Sequence, residues 1–197
     1  ALAALIHMAT GGQGQEALLI AAIGSAASML RHRGGDKVRA LLMGWGALYI
    51  ALALLGAYWL RQQPDGLLLF CWLLASVVAT DTGAYAFGRA IGGPKLAPVI
   101  SPKKTWAGLV GAMICAAAVG AGFATWLEKD LMLMMPVGAL LAVIAQAGDL
   151  LESWMKRRVG LKDSSGLIPG HGGILDRLDG FLAATPVVAL AVLSGLL

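Results

Sequence analysis

The sequence predicts an all-α fold: a polytopic integral membrane helix bundle of about six transmembrane helices behind an N-terminal stub. Three observations carry the prediction. Hydrophobic residues make up 58% of the 197 residues and charged residues only 13%, against about 25% charged in a soluble domain. Mean hydropathy is +0.77, so the chain has too little polar surface to face water on all sides. The apolar residues fall into runs, most of them long enough to cross a bilayer core, which needs about 20 residues of helix. The loops between the runs alternate in positive charge.

The elements follow in chain order. The stub, LAALIHMAT, reads as the tail of an earlier apolar segment, so upstream N-terminal helices are expected to be missing. A cleaved signal peptide fits less well, because nothing like its cleavage region stands here. The expected segments are Glu16–Leu30, Val38–Leu60, Gly66–Ala90, Thr105–Leu127, Leu131–Met155 and Ile174–Leu197. The first is short and reads as tilted, interfacial or extended by its neighbours. Gly44, Gly46, Gly108, Gly111, Gly120 and Gly122 lie inside the runs, where small residues let membrane helices approach closely. Cys71 and Cys115 sit in apolar runs and read as small buried hydrophobes. No internal repeat or soluble domain stands out. The reading is therefore one transmembrane domain over 1–197, with its catalytic half at 78–180.

On one side of the expected membrane fall Arg31, Arg33, Lys37, Arg39, Arg89, Lys95, Lys103, Lys104, Lys156, Arg157, Arg158, Lys162 and Arg177; on the other fall only Arg61 and Lys129. The rich side is expected to be cytoplasmic. The net charge of +4 is thus a membrane face, and no nucleic-acid partner is expected.

Five acids lie at or inside the apolar runs: Asp81, Asp149, Glu152, Asp176 and Asp179. An ionised acid at a helix centre in hydrocarbon costs at least about 2.5 kcal/mol, so each should face a cavity, a cation or a metal. Asp149 and Glu152 are spaced i,i+3, and so are Asp176 and Asp179; each pair shares a helix face. Both pairs fall near the basic boundary, with Asp81 slightly deeper. Several carboxylates together repel without cations, and hard oxygen ligands favour Mg²⁺ or Mn²⁺. Two loops on the basic side, GGPKLAPVISPKKTWAG and KRRVGLKDSSGLIPGHGG, mix Lys and Arg with Gly, Ser and Pro. Such loops can wrap a phosphate with ammonium and backbone N–H groups. Thr105 is placed to cap the helix that follows. His171, flanked by glycines, is a candidate for phosphate contact or proton transfer. Metal-holding acids beside phosphate-holding cations at a membrane boundary point to phosphoryl or nucleotidyl transfer onto a lipid.

The stretch Ser153 to Gly180, SWMKRRVGLKDSSGLIPGHGGILDRLDG, resembles the signature of the phosphatidate cytidylyltransferase (CDP-diacylglycerol synthase) family. The matching elements are Ser153, Lys156-Arg157, Lys162-Asp163, Pro169, His171-Gly172-Gly173 and Asp176-Arg177-Leu178-Asp179. DTGAYAFGR, SPKKTWAG and GDLLES are similar to other stretches of that family in the same order. The likeness is close from about Val78 to Gly180. Ala107 departs from it, standing where the family commonly carries an acid or amide.

The resemblance implies that CTP and phosphatidic acid give CDP-diacylglycerol and pyrophosphate with one or two Mg²⁺ ions. It implies Asp149, Asp176, Asp179 and Asp81 as metal ligands. Asp149, Asp176, Asp179, His171 and Lys156 form the expected catalytic set. Ser101, Lys103, Lys104, Thr105, Arg157, Lys162, Arg177, Gly172 and Gly173 form the expected substrate-binding set. It further implies a membrane lipid partner and a homodimer; a bacterial inner membrane, with the site facing the cytoplasm, is the expected location. Two other readings exist. DRLDGFLA resembles half of a CDP-alcohol phosphotransferase motif, but Ala184 stands where its Arg should be. A cation transporter using intramembrane carboxylates accounts for Asp81 but not for the Lys/Gly/His loops.

Overall fold

The computed structural model describes residues 37–158 and 175–197, and residues 22, 25, 26, 30, 160 and 173 besides. Its main elements are α1 (Lys37–Arg61), α2 (Gly66–Ala90), β1 (Lys95–Ala97), β2 (Ser101–Thr105), α3 (Trp106–Ala124), α4 (Leu131–Arg158) and α5 (Leu175–Leu193). Three of them, α2, α3 and α4, are long and apolar enough to cross a membrane. α5 has the length, but Asp176, Arg177 and Asp179 load its start with charge. The expected helical membrane architecture is thus present, while the count of about six spans is met only by these three among the described residues. Most of the expected segment Glu16–Leu30 lies outside them.

The loop between α2 and α3 holds an antiparallel hairpin, with Lys95 opposite Thr105 and Ala97 opposite Ser101. The register shifts between these pairs, as a bulge does when it bends a ribbon. The strands are short and carry no clean alternation of apolar and polar residues, so nothing local announced them.

The chain divides into two compact units, Gln63–Ala184 and Ala1–Gln62 with Thr185–Leu197. In the first, α3 packs along both α2 and α4. The seams are made of small residues. A Cβ on Gly83 would stand 2.9 Å from the Cys115 Sγ and the Gly111 carbonyl oxygen, and one on Gly108 would stand 2.8 Å from the Ala84 carbonyl oxygen. Gly120 and Gly138 bring α3 and α4 together in the same way, against the Met134 and Ala116 carbonyls. Gly148 of α4 lies against Ala183 and the Asp179 carbonyl of α5. Close backbone approach replaces the hydrophobic drive that lipid removes. Among the described residues nothing lies within 4 Å of a Cβ placed on Gly46 or Gly122, so none of them makes the expected close approach at those two.

Trp72, Leu73, Met134, Leu141 and Leu182 are buried in this unit. Phe70 meets Phe181 edge-on, with ring centroids 5.8 Å apart. Leu67, Leu74, Val78, Val110, Ile114, Leu140 and Leu151 point outward, an apolar exterior suited to acyl chains. Trp106 opens α3 and Trp126 follows it, both exposed, as side chains of a membrane–water interface are. In the second unit, Gly56 of α1 sits against Thr185 and Ala189, and Ser25 donates a hydrogen bond to the Gly44 carbonyl at 2.7 Å.

Candidate active site

The site is built at one end of the first unit, where α2 and α4 finish and α3 and α5 begin. Alternation of direction brings Arg89, in the last turn of α2, to the same end as Lys156, Arg157 and Arg158, in the last turn of α4. These basic turns suit the carbonyl ends of their helices.

Thr105 links the hairpin to α3. Its backbone is extended (φ −125°, ψ 158°) and its hydroxyl oxygen accepts from the Gly108 N–H at 3.1 Å. This is an N-cap, satisfying one of the free donors of the first turn. The Thr105 hydroxyl also stands close to where a Gly88 side chain would be. Hairpin, α2 and α3 are therefore fixed together at the residue that follows Lys104.

Lys104 reaches α4. Its ammonium lies 2.6 Å from Asp149 Oδ2 and donates to the Gln146 carbonyl at 3.4 Å. The Ser153 hydroxyl donates to the other oxygen of Asp149 at 3.3 Å. A second lysine ties α4 to α5: Lys156 Nζ lies 2.5 Å from Asp176 Oδ1 and 3.5 Å from Glu152 Oε2. Asp176 Oδ2 accepts from the Gly173 N–H at 2.7 Å. The carboxylate reaches back three residues, as the acid of a capping box does. Asp179 Oδ1 accepts from the Gly180 N–H at 2.6 Å. Asp81 lies in the field of Asp149, Lys104 and Arg177, and Asp179 in that of Asp149 and Asp81.

The structure thus brings Asp81, Asp149, Asp176, Asp179, Lys104, Lys156 and Arg177 into one electrostatic neighbourhood, as the i,i+3 spacing leads one to expect. Gly173 and Thr105 act through the backbone contacts just given. Lys103 joins the wall of a cavity of about 210 Å³ that also takes in Asp81, Tyr85, Lys104, Gln146 and Asp149. Ser101 sits at the start of β2, remote from the cap, and Arg157 follows Lys156 on α4. His171, Gly172 and Lys162 lie outside the described residues.

Glu152, noted in the sequence but given no role, is buried, and among the described residues neither carboxylate oxygen receives a hydrogen bond. Buried polar atoms of this kind are rare and mark a place for a cation or water. Carboxylate oxygens are also the ligands that Mg²⁺ takes, so the donor set fits such an ion by its chemistry. Yet the acids are engaged by lysines here, and among the described residues no three His, Cys, Asp or Glu side chains close into a metal cage. Tyr85 and Gln146 were missed by sequence reasoning. Tyr85 lies one turn beyond Asp81, and Gln146 is the one amide in the apolar run LLAVIAQAGD; each lay on the face of an acid already singled out.

Comparison with known proteins follows the same lines. The sequence model of the Cytidylyltransferase family matches residues 4–194. The phosphatidate cytidylyltransferase of Brucella suis biovar 1 is 45% identical over 152 residues, covering 75% of this chain and 56% of the relative. The protein of that name from Staphylococcus haemolyticus is 41% identical over 138 residues, covering 69% of this chain and 53% of the relative. The chain spans about half the length of the relatives it matches.

Proposed function

The chain belongs to the cytidylyltransferase family, and from that premise we propose that it transfers a cytidylyl group from CTP to phosphatidic acid, giving CDP-diacylglycerol and pyrophosphate. The observation that carries the reading is the lysine–carboxylate arrangement. Lys104–Asp149 and Lys156–Asp176 join the hairpin, α4 and α5 at the basic end of membrane helices. Lipid phosphate and nucleotide phosphate can meet there. The names of the relatives supply the substrates.

In this reading a phosphate oxygen of phosphatidic acid attacks the α-phosphorus of CTP. A new P–O bond forms as the bond to the β-phosphate oxygen breaks, and pyrophosphate leaves. A phosphomonoester is already nucleophilic at neutral pH, so the demand is in-line positioning and neutralisation of charge. Lys103, Lys104, Lys156, Arg157 and Arg177 hold phosphate oxygens. Ser101, Thr105, Lys162, Gly172 and Gly173 complete the phosphate-binding loops, and His171 contacts phosphate or orients a carboxylate. Asp149, Asp176, Asp179 and Asp81 would hold Mg²⁺, which when bound offsets charge on the attacking and leaving oxygens. The site faces the cytoplasm of a bacterial inner membrane; the excess of Lys and Arg at its end supports that orientation. A homodimer and the absence of a nucleic-acid partner belong to the same reading.

The test is pyrophosphate release by detergent-solubilised protein. Release is expected only when CTP, phosphatidic acid and Mg²⁺ are all present, and is expected to vanish in Asp176→Asn. Release that ignores phosphatidic acid, or persists in the variant, would sink the assignment.

A further inference from the structure

α4 has two opposite faces. Gly138, Leu141, Ala145, Gly148 and Glu152 are buried, whereas Leu140, Val143, Ala147 and Leu151 are exposed. The exposed residues recur every three or four positions, as one side of a helix does. In a helix long and apolar enough to cross a membrane, such a stripe is a surface for acyl chains. Its continuation is Trp154 and then Arg158. The guanidinium of Arg158 lies over the Trp154 ring, 5.4 Å from the centroid, within cation–π range.

The depth fits a lipid. One leaflet is about 15 Å of hydrocarbon, half of a core of about 30 Å, and at about 1.5 Å per residue that is about ten residues of helix. A headgroup at Arg158 therefore lays its chains along Trp154, Leu151 and Ala147.

The last turn then leads round the helix. Successive residues step about the axis by about 100°, so Lys156, Arg157 and Arg158 stand at three bearings around the end of α4. Lys156 is on the inner side, against Asp176 and Glu152. Arg158 is on the outer side with the apolar stripe, and the exposed Arg157 stands between them. Basic residues at a membrane surface attract anionic headgroups, and a guanidinium offers a fork of N–H donors to phosphate oxygens. A basic residue that only met the helix dipole or marked sidedness would need neither an aromatic seat nor an apolar stripe below it.

We propose that the outer face of α4 docks an anionic diacyl phospholipid, with its headgroup at Arg158 and its chains on Trp154, Leu151 and Ala147, and that Arg157 passes the phosphate round to Lys156. The inference rests on the cytidylyl-transfer reading for its substrate, phosphatidic acid. It adds the route by which that lipid reaches the site from the bilayer.

Pyrophosphate release by the full chain in mixed micelles tests it, with the mole fraction of dipalmitoyl phosphatidic acid varied. Arg158→Gln is expected to raise the KM for phosphatidic acid about fivefold, the effect of one basic residue at a charged lipid surface. Its kcat and its KM for CTP are expected to stay as in wild type, a split that a purely structural arginine would not give. Arg158→Lys keeps the charge and is expected to recover most of the loss. Mass spectrometry of the intact protein with bound lipid gives a readout without turnover. With dipalmitoyl phosphatidic acid in excess, Arg158→Gln is expected to keep one lipid fewer than wild type, and with phosphatidylcholine the same number. An unchanged KM for phosphatidic acid, or equal lipid retention, overturns the proposal. An equal rise in the KM for CTP overturns it too, since Arg158 then serves the nucleotide. So does a change of oligomeric state in Arg158→Gln, since a second copy then covers the face. If wild type releases no pyrophosphate, the cytidylyl reading falls, and lipid retention alone decides the docking site.

Discussion

Lys156 holds two carboxylates from two helices, Glu152 of α4 and Asp176 of α5. Glu152 is buried, and among the described residues its oxygens receive no hydrogen bond, while Lys156 is a cation beside it. Removing one member of such a group leaves an uncompensated buried charge, at a cost of about 3–5 kcal/mol. Lys156→Met is therefore expected to lower the thermal unfolding midpoint in detergent and to abolish pyrophosphate release. Adding Glu152→Gln removes the stranded charge. The double variant is expected to recover most of the midpoint and none of the activity. If stability does not return, Lys156 supports the fold through Asp176 alone. The counter-ion role of the lysine and the phosphate-binding role proposed for it are separated by that pair of measurements.

At the scale of elements, the helices are held by what their glycines lack. Gly120 faces the Met134 carbonyl of α4, and backbone cannot step aside as a side chain can. Gly122, two residues on, faces open space. Gly120→Val is expected to destabilise the protein by about 1–3 kcal/mol through overpacking, and Gly122→Val to be close to neutral. Thermal unfolding of both variants checks this, and equal effects would mean that helix propensity matters here and packing does not. The same elements show what was legible in the sequence. The extent of α2, the cap at Thr105 and the shared face of Asp149 with Glu152 are local matters, set by length, residue type and helical spacing. The hairpin was not legible, because three- and five-residue strands in a Pro-rich loop are stabilised by their surroundings. The partners of the acids were not legible either. That Lys104 takes Asp149 while Lys156 takes Asp176 depends on how helices pack, which spacing along one helix cannot reveal.

For the molecule as a whole, the prediction concerns sidedness. Val99, in the turn of the hairpin, is 94% exposed, and Gln62 lies at the opposite end of α2, just before it begins. In a Cys71→Ser, Cys115→Ala background, Val99→Cys is expected to react with a membrane-impermeant thiol reagent from the cytoplasmic side only. Gln62→Cys is expected to react from the other side only. Reaction of both from one side would contradict the direction read from Lys and Arg. Charge asymmetry is a property of the entire chain and was legible without any structure. The cavity was not, since its walls come from α2, the hairpin, α3 and α4, and only its acidic and basic members stood out in sequence.

Gly148 precedes Asp149 and lies against the backbone of Asp179. The gap between the acids of α4 and α5 is therefore gauged by a single hydrogen atom. Any larger group at that position is a wedge: it meets Ala183 and the Asp179 carbonyl and drives the two helices apart beside Asp149 and Asp179. A residue with no chemistry of its own thus sets the tolerance to which the chemical ones are held.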